Sequence, residues 1–264
     1  MKRPVFNPEW PDDVAAVYNH DLQEIWDPTI ARHVWNQYHN QLDIYLRLAG
    51  NGERLDILDI GCAQGTLALM LAERGHRVWA IDIRQAFLDY AATRYERGEI
   101  RFICGNALEL DIGHRFDLIF ANQIVEHLVY PLELTRRMAG LLKPGGRLVM
   151  TTPNGHYVKN ALPSFSDLGD ASQFKERQFS ADGDGHFFAY REVELKEIFV
   201  RAGLAQVQLD FFETPFISGH LKLRLVHSFV PPRVLRFFDR VFLSVPTLRR
   251  RLAHQLMITG SVGV

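Results

Sequence analysis

Short apolar segments and helical segments alternate along residues 55–152, and this alternation constrains the fold more than any other feature. The apolar segments run over 55–60, 77–81, 100–104, 116–121 and 147–152. Strands separated by single helices join through right-handed crossovers, so the pattern predicts a parallel, doubly wound α/β sheet. The segment 116–121 is apolar at every position except Asp117, which is typical of a strand buried on both faces.

Further elements flank this alternation. Residues 28–49 carry apolar side chains at helical spacing and predict a helix, preceded by an irregular arm over 1–27. The polar, Gly/Asp-rich stretch 153–189 is long enough to be a lid over a site. The predicted division is an N-terminal arm and helix at 1–50, a core at 51–212 with the lid insertion at 153–189, a basic amphipathic helical insertion at 213–254, and a final core strand at 255–264.

The bulk composition excludes several classes of protein. The 264 residues are 47% hydrophobic and 23% charged, which is ordinary for a globular chain and unlike a disordered one. Thirty Lys+Arg against thirty-one Asp+Glu leave a formal charge of −1, without the basic excess of a nucleic-acid binder. Two cysteines without disulfide or zinc spacing, and an N-terminus without the apolar run of a signal peptide, favour a cytoplasmic location.

The segment LDIGCAQGTLALMLA at 58–72 joins a strand to a helix through a glycine loop, where an open α/β sheet binds its ligand. A P-loop is excluded because Gly65 is followed by Thr66 and not by the lysine that reaches the phosphates. A dinucleotide fingerprint starting at Gly61 lacks two of its three glycines, although Arg84 leaves NADP conceivable.

A ligand without phosphate fits the loop better. Asp59 lies just before the turn, where its carboxylate would repel a phosphate but attract an ammonium group. S-adenosyl-L-methionine combines such an ammonium with a sulfonium. The loop is therefore interpreted as a site for this ligand.

The same segment resembles the first motif of class I SAM-dependent methyltransferases, which usually carry glycine where this chain has Ala63; alanine is tolerated where the turn is less tight. The segments VWAIDI, FICGNALEL, FDLIFANQIVEHL and LLKPGGRLVMTTPN resemble the segments that follow it, in order and spacing. They are most similar to the small-molecule O-methyltransferases related to ubiquinone biosynthesis, over roughly residues 53–153. The resemblance implies a seven-stranded, mostly parallel sheet of the Rossmann-like methyltransferase fold.

The resemblance also implies a cofactor site. Asp82, about twenty residues past the loop, is expected to bind the ribose hydroxyls, with helix capping as its structural alternative. The Asn106 carbonyl is expected to accept from the adenine amino group. Contacts with S-adenosyl-L-methionine, and with its product S-adenosyl-L-homocysteine, are expected from Asp59, Gly61, Cys62, Ala63, Gly65, Asp82, Ile83, Asn106, Ala107, Asn122 and Gln123.

Methyl transfer requires alignment of the acceptor and, for a hydroxyl, removal of a proton. Glu126 and His127 follow the fourth strand at the predicted start of a helix, and His127 is the first candidate for the general base. His186 is the second candidate, and for both the alternative is a packing role. Some of these relatives hold a divalent metal through Glu-x-x-Glu-His, but Gln123 replaces the first carboxylate here, so no metal is expected.

The stretch 219–254 contains eight lysines and arginines against the single acid Asp239, interleaved with leucine and phenylalanine. Such a stretch can lie on an anionic membrane surface, cover the substrate entrance or pack against a second subunit. The simplest alternative is a set of helices that decorates the connection between the last two strands.

Taken together, these features predict a methyltransferase that acts on a small molecule, at a hydroxyl oxygen, with a glycan or lipid-linked precursor as one candidate acceptor. N-methylation of a small molecule, RNA or protein methylation, and a non-catalytic SAM-binding module are the alternatives. The [DNS]-PP-[YFW] motif of many nucleic-acid N-methyltransferases is missing from the sequence.

Overall fold

The computed structural model describes residues 1–50, 52–176 and 186–263. It divides into two compact units. Unit 1 contains residues 1–106 and 213–241, and unit 2 contains residues 107–212 and 242–264. Among the helices of the described residues, none combines the length and apolar character that crossing a bilayer requires.

The elements follow one another in an alternating order. The first are α1 (Asp12–Asp21), a π-helical turn (Leu22–Trp26), α2 (Arg32–Ala49), β1 (Asp56–Ile60), α3 (Thr66–Glu73), β2 (Arg77–Asp82), α4 (Gln85–Thr93) and β3 (Glu99–Cys104). Then come β4 (Phe116–Asn122), a 3-10 turn (Val125–His127), α5 (Pro131–Leu141), β5 (Leu142–Pro153), a 3-10 turn (Ala171–Phe174), α6 (Glu192–Arg201) and β6 (Ala205–Phe212). The last are α7 (Pro215–Ser218), a 3-10 helix (Leu223–Ser228), α8 (Pro232–Ser244), α9 (Pro246–Leu252) and β7 (Gln255–Ser261).

Within the described residues seven strands form one sheet in the order β3-β2-β1-β4-β5-β7-β6. Strand β2 pairs in parallel with β1 and β3, and β4 pairs in parallel with β5. Strand β7 runs antiparallel to both β5 and β6. Strands β1 and β4 are almost wholly buried, although Asp56 and Asp59 in β1 and Asp117 in β4 interrupt their apolar sequences. The predicted seven-stranded, mostly parallel, doubly wound sheet is confirmed.

The expectation of an irregular arm over 1–27 is wrong, because α1 and the π-helical turn occupy most of it. Pro11 precedes α1 and two aspartates fill its first turn, and both are helix-start signals that the Pro- and Asp-rich composition obscured. Helix α1 packs on α4 through Val14, Phe87 and Tyr90, which form a buried apolar cluster.

Two other predictions need correction or restriction. Glu126 and His127 do not begin a helix; they lie in a 3-10 turn, and α5 begins only at Pro131, whose ring favours the first helical position. Of the predicted lid at 153–189, residues 177–185 lie outside the described residues. Its remaining parts are joined by a bridge between Ser164 and Ala189.

Candidate functional site

The glycine loop of unit 1, residues 61–65, turns sharply between β1 and α3. Gly61 and Gly65 both have a positive φ, of 63° and 72°. A Cβ atom on Gly65 would lie 2.8 Å from the Ala91 Cβ atom of α4, so this position excludes every side chain. The loop is closed by the Gly65 N–H, which donates to the Cys62 carbonyl at 2.7 Å. Gly65 is therefore required by its surroundings, and the positive φ at position 61 favours glycine there.

Ala63 also adopts the left-handed region, with a φ of 45°, although it carries a Cβ atom. The turn is thus not relaxed at this position, contrary to the expectation that alanine marks a less tight turn. Its methyl group packs against the apolar cluster of α1 and α4, and its N–H donates to the Asp82 Oδ2 atom at 2.9 Å. These two contacts hold the strained residue in place.

The carboxylates of Asp59 and Asp82 are both buried at the ends of neighbouring parallel strands. Asp82 is occupied on both oxygens, since its Oδ1 atom accepts from the Arg84 N–H at 2.9 Å and its Oδ2 atom accepts from the loop. Burial raises the pKa of Asp59 to about 7, and the charge of Asp82 adds to the increase. Two desolvated acids on neighbouring strands favour a cationic ligand.

The other predicted cofactor residues of unit 1 lie around this turn. The Gly105 N–H donates to the Asp82 carbonyl at 2.9 Å, which brings the chain entering Asn106 beside Asp82. Ile83 is 46% exposed and lies next to Asp82 in the chain. Cys62 is buried, and burial raises the pKa of its thiol well above the usual value, so this thiol is a small apolar group and not a nucleophile.

Arg94 stabilises the glycine loop through buried hydrogen bonds. The sequence alone did not point to this residue. Its guanidinium is fully buried, with Nη1 donating to the Gln64 carbonyl at 2.6 Å and to the Thr66 hydroxyl at 2.9 Å. Its Nη2 atom lies 2.8 Å from an Asp21 carboxylate oxygen. The other Asp21 oxygen accepts from the Tyr90 hydroxyl at 2.9 Å. The end of α1 and the loop are thereby tied to one buried cation.

The π-helical turn reaches the loop directly. The Gln64 side chain donates to the Glu24 carboxylate at 2.9 Å. Burial, and then the charge of Asp21, raise the pKa of Glu24 to about 8. A π-helical turn is rare and is often found at functional sites, and this one became visible only in the structure.

Unit 2 contains a second cluster, here called the histidine cluster: Glu126, His127 and His186. The two imidazole rings meet edge to face with centroids 4.9 Å apart, and the His186 Nε2 atom lies 3.9 Å from the Glu126 Oε1 atom. The Phe187 N–H donates to the Glu126 carbonyl at 3.1 Å, which fixes the two segments together. The structure therefore unites all three predicted catalytic residues.

The charge states in the histidine cluster follow from burial. The Glu126 side chain is fully buried, and burial raises its pKa to about 8, so at neutral pH it carries its proton. Burial, and then the neighbouring His127, lower the pKa of His186. At neutral pH the neutral His186 imidazole can accept a proton.

The predicted residues of β4 lie beside this cluster within unit 2. The Gln123 amide donates to the Gln255 side-chain oxygen at 2.9 Å, and Asn122 accepts from the Thr151 hydroxyl at 3.1 Å. The Ala107 carbonyl accepts from Arg137 at 2.8 Å. The side chains of Asn122 and Gln123 and the carbonyl of Ala107 are thus already hydrogen-bonded to other groups of the protein.

A metal at the histidine cluster is geometrically conceivable, since one ligand atom of each member lies within 4.8 Å of the others. The donor set is one carboxylate and two imidazoles, whereas Mg²⁺ prefers oxygen ligands. Gln123 presents an amide hydrogen-bonded to Gln255 at the place of the missing carboxylate. The residues do not fit a magnesium site, and the prediction that no metal binds stays a prediction.

Comparison with known proteins adds three findings. Residues 18–209 match a family model described as a methyltransferase domain. A ubiquinone biosynthesis O-methyltransferase of Bradyrhizobium diazoefficiens is 34% identical over 110 residues, which are 41% of this chain and 44% of that protein. The chain spans about half the length of the curated relatives that it matches.

Solved structures show the same fold. A SAM-dependent methyltransferase from Archaeoglobus fulgidus superposes with a TM-score of 0.59 at 17% identity, covering 92% of this chain and 98% of that one. The phosphoethanolamine N-methyltransferase 2 of Haemonchus contortus, in complex with S-adenosylhomocysteine, has a TM-score of 0.57 at 18% identity, covering 85% and 53%.

Proposed function

The chain belongs to the methyltransferase domain family, and from that premise we propose that it transfers a methyl group from S-adenosyl-L-methionine to a hydroxyl oxygen of a small molecule. The observation that supports oxygen as the acceptor atom is the histidine cluster. An alcohol or phenol must lose its proton as it attacks, whereas a neutral amine can attack without a base. Two imidazoles beside a neutral carboxyl suit that task.

The residues of unit 1 suit the cofactor. Asp59 and Asp82 supply two buried carboxyl groups that suit a cationic, phosphate-free nucleoside, and the glycine loop allows close approach of the backbone. When bound, the cofactor supplies a methyl group on a sulfonium, so the C–S bond breaks with its electron pair left on sulfur. Within unit 1 we assign the predicted contacts Gly61, Cys62, Ala63, Gly65, Ile83 and Asn106 to the same ligand; the contacts expected from Ala107, Asn122 and Gln123 stay predictions.

The histidine cluster supplies the proton chemistry. His127 accepts the hydroxyl proton while the oxygen electron pair forms the new O–CH3 bond. His186 packs edge to face on His127 and restricts the orientation of that ring. Glu126 is neutral and fully buried, and its carboxyl group lies next to His186. The free, exposed thiol of Cys104 supports a reducing cytoplasmic setting for this reaction.

Replacing Asp82 by alanine is expected to weaken S-adenosyl-L-methionine binding by about 5- to 150-fold, the effect of about 1–3 kcal/mol. The variant loses a carboxylate and leaves the N–H groups of Ala63 and Arg84 without their acceptor. Calorimetric titration measures the effect. Asp89→Ala removes an exposed acid of α4 that accepts a hydrogen bond from Gln85 of the same helix; this variant is the matched control and should bind normally. Equal affinity of both variants would exclude Asp82 from the site.

A turnover assay tests the function as a whole. The purified chain is incubated with methyl-labelled cofactor and a panel of phenols, sugar alcohols, primary amines, RNA and protein. Label in an ether product, with release of S-adenosyl-L-homocysteine, is the expected result. Label in an amine product would show that the acceptor atom is nitrogen and not oxygen. Cofactor binding without transfer to any acceptor indicates a binding module, and uptake of NADP or ATP in its place would refute the proposal.

A further inference from the structure

The segment 221–241 of unit 1, here called the basic apolar segment, exposes large apolar side chains. Phe229 is 86% exposed, Leu225 is 68% exposed and Phe237 is 61% exposed. Such exposure is unfavourable, because burial of a large apolar side chain stabilises a protein in water. Single exposed apolar residues are ordinary, but a run of them in one short segment marks an interaction surface.

Helix α8 shows that this exposure follows a pattern. Its inward face is defined by Leu235 and Asp239, which are 2% and 6% exposed, and the Asp239 carboxylate accepts from the Thr214 N–H at 2.7 Å. The outward face, at spacings of three and four residues, carries Arg233, Phe237, Arg240 and Val241. An outward face in water is normally polar. Here the outward face carries two cationic and two apolar side chains next to one another.

The exposed charge of the segment is positive. Lys222, Arg224, Arg233 and Arg240 are all exposed, and none of them forms an ion pair within the part of the chain that the structure describes. Arg236 differs, because it pairs with Asp43 at 2.8 Å. Asp239, the single acid in the segment, is buried and bonded to backbone. The surface therefore offers free cations with no exposed anion among them.

We propose that the basic apolar segment docks on the surface of an anionic phospholipid bilayer. Its guanidinium and ammonium groups bind headgroup phosphates, while Leu225, Phe229 and Phe237 enter the boundary between headgroups and acyl chains. This combination of cations and bulky apolar side chains is what interfacial binding requires. The inference concerns location and does not depend on the proposed reaction.

Charge and exposure also favour a bilayer over other partners. A second copy of the chain would place this surface against itself in a two-fold contact, where four exposed cations would face four others. A nucleic acid would satisfy the cations but leave Phe229 and Phe237 in water. An anionic bilayer satisfies both kinds of side chain.

The test is co-sedimentation of the full chain with vesicles of phosphatidylcholine containing about 30% phosphatidylglycerol, and of phosphatidylcholine alone, at low and high salt. Binding only to the anionic vesicles, reversed by salt, is expected. Arg233→Gln with Arg240→Gln should lower the partition coefficient about 30-fold, at about 1 kcal/mol for each cation. Phe229→Ala with Phe237→Ala should lower it by about tenfold or more.

Matched variants elsewhere on the surface provide the controls. Arg97→Gln with Arg201→Gln makes the same change in net charge, and Val193→Ala with Val200→Ala removes exposed apolar groups from α6. Both should sediment like the parent chain. Equal loss in the control variants, equal binding to neutral vesicles, or no binding at all would overturn the proposal. So would light scattering that shows a dimer lost in the phenylalanine variants, or salt-sensitive binding to RNA in place of vesicles.

Discussion

Replacing His127 by glutamine is expected to lower kcat for methyl transfer by about 100- to 10,000-fold, the contribution of a positioned general base, while S-adenosyl-L-methionine binding is retained. Glutamine keeps a polar side chain but cannot take the acceptor proton. The parent enzyme should lose kcat as pH falls and the imidazole becomes protonated. In the variant, kcat should not show this decrease at low pH. Single-turnover assays across pH, with calorimetry for the cofactor, measure both effects.

Three companion variants separate the roles in the histidine cluster. His20→Gln removes an exposed histidine of α1 and should leave kcat unchanged. Glu126→Gln should stay active at pH 7, because the pKa of about 8 means that the native carboxyl is already protonated there. If His186→Gln abolishes turnover and His127→Gln does not, then His186 is the base.

The Glu126 variant also tests the absence of a metal. A carboxylate that binds a cation must be ionised, so glutamine at this position would abolish a metal-dependent reaction. Suppose that Glu126→Gln is inactive, and that the parent enzyme loses activity on chelation and recovers it with a divalent cation. A metal-dependent mechanism would then replace the proposed proton transfer. Full activity in the presence of chelator supports it.

Replacing Arg94 by methionine is expected to destabilise the protein by about 3–5 kcal/mol, the cost of removing one partner of a buried ion pair. Asp21 would be left without its cation, and the Gln64 carbonyl and the Thr66 hydroxyl would lose a donor. Because these groups shape the glycine loop, cofactor affinity should fall as well. Urea unfolding and calorimetric titration measure the two losses.

The pH dependence of this variant has a definite sign. Burial raises the pKa of Asp21 even beside Arg94, and removal of the cation raises it further. A raised folded-state pKa contributes stability at low pH that is lost as pH rises through it. The variant should therefore be more destabilised at pH 8 than at pH 5. Arg97→Met, an exposed change three residues away, should change stability by no more than about 0.5 kcal/mol. Equal stability of the two variants would contradict a holding role for Arg94.

Much of the fold followed from local sequence signals. Apolar segments predicted the five parallel strands, and their bounds agree with the structure to within one residue except at β5, which begins five residues earlier, at Leu142. The family match over 18–209 confirms the resemblance to class I methyltransferases. The clearest error, the irregular arm over 1–27, arose where composition was given more weight than the helix-start signal at Pro11. The relation of the glycine loop to its ligand, and the roles within the histidine cluster, stay predictions.

Sequence alone determined what depends on near neighbours along the chain. Periodic apolar side chains specify strand or helix, and Gly61 and Gly65 permit backbone angles that other residues resist. Only the tertiary structure decided which distant side chains meet, as Asp21 meets Arg94 and Glu126 meets His186. It also decided which groups lose water, and therefore which acids keep a proton at neutral pH. Desolvation depends on packing from every side at once, and no local pattern of residues records it.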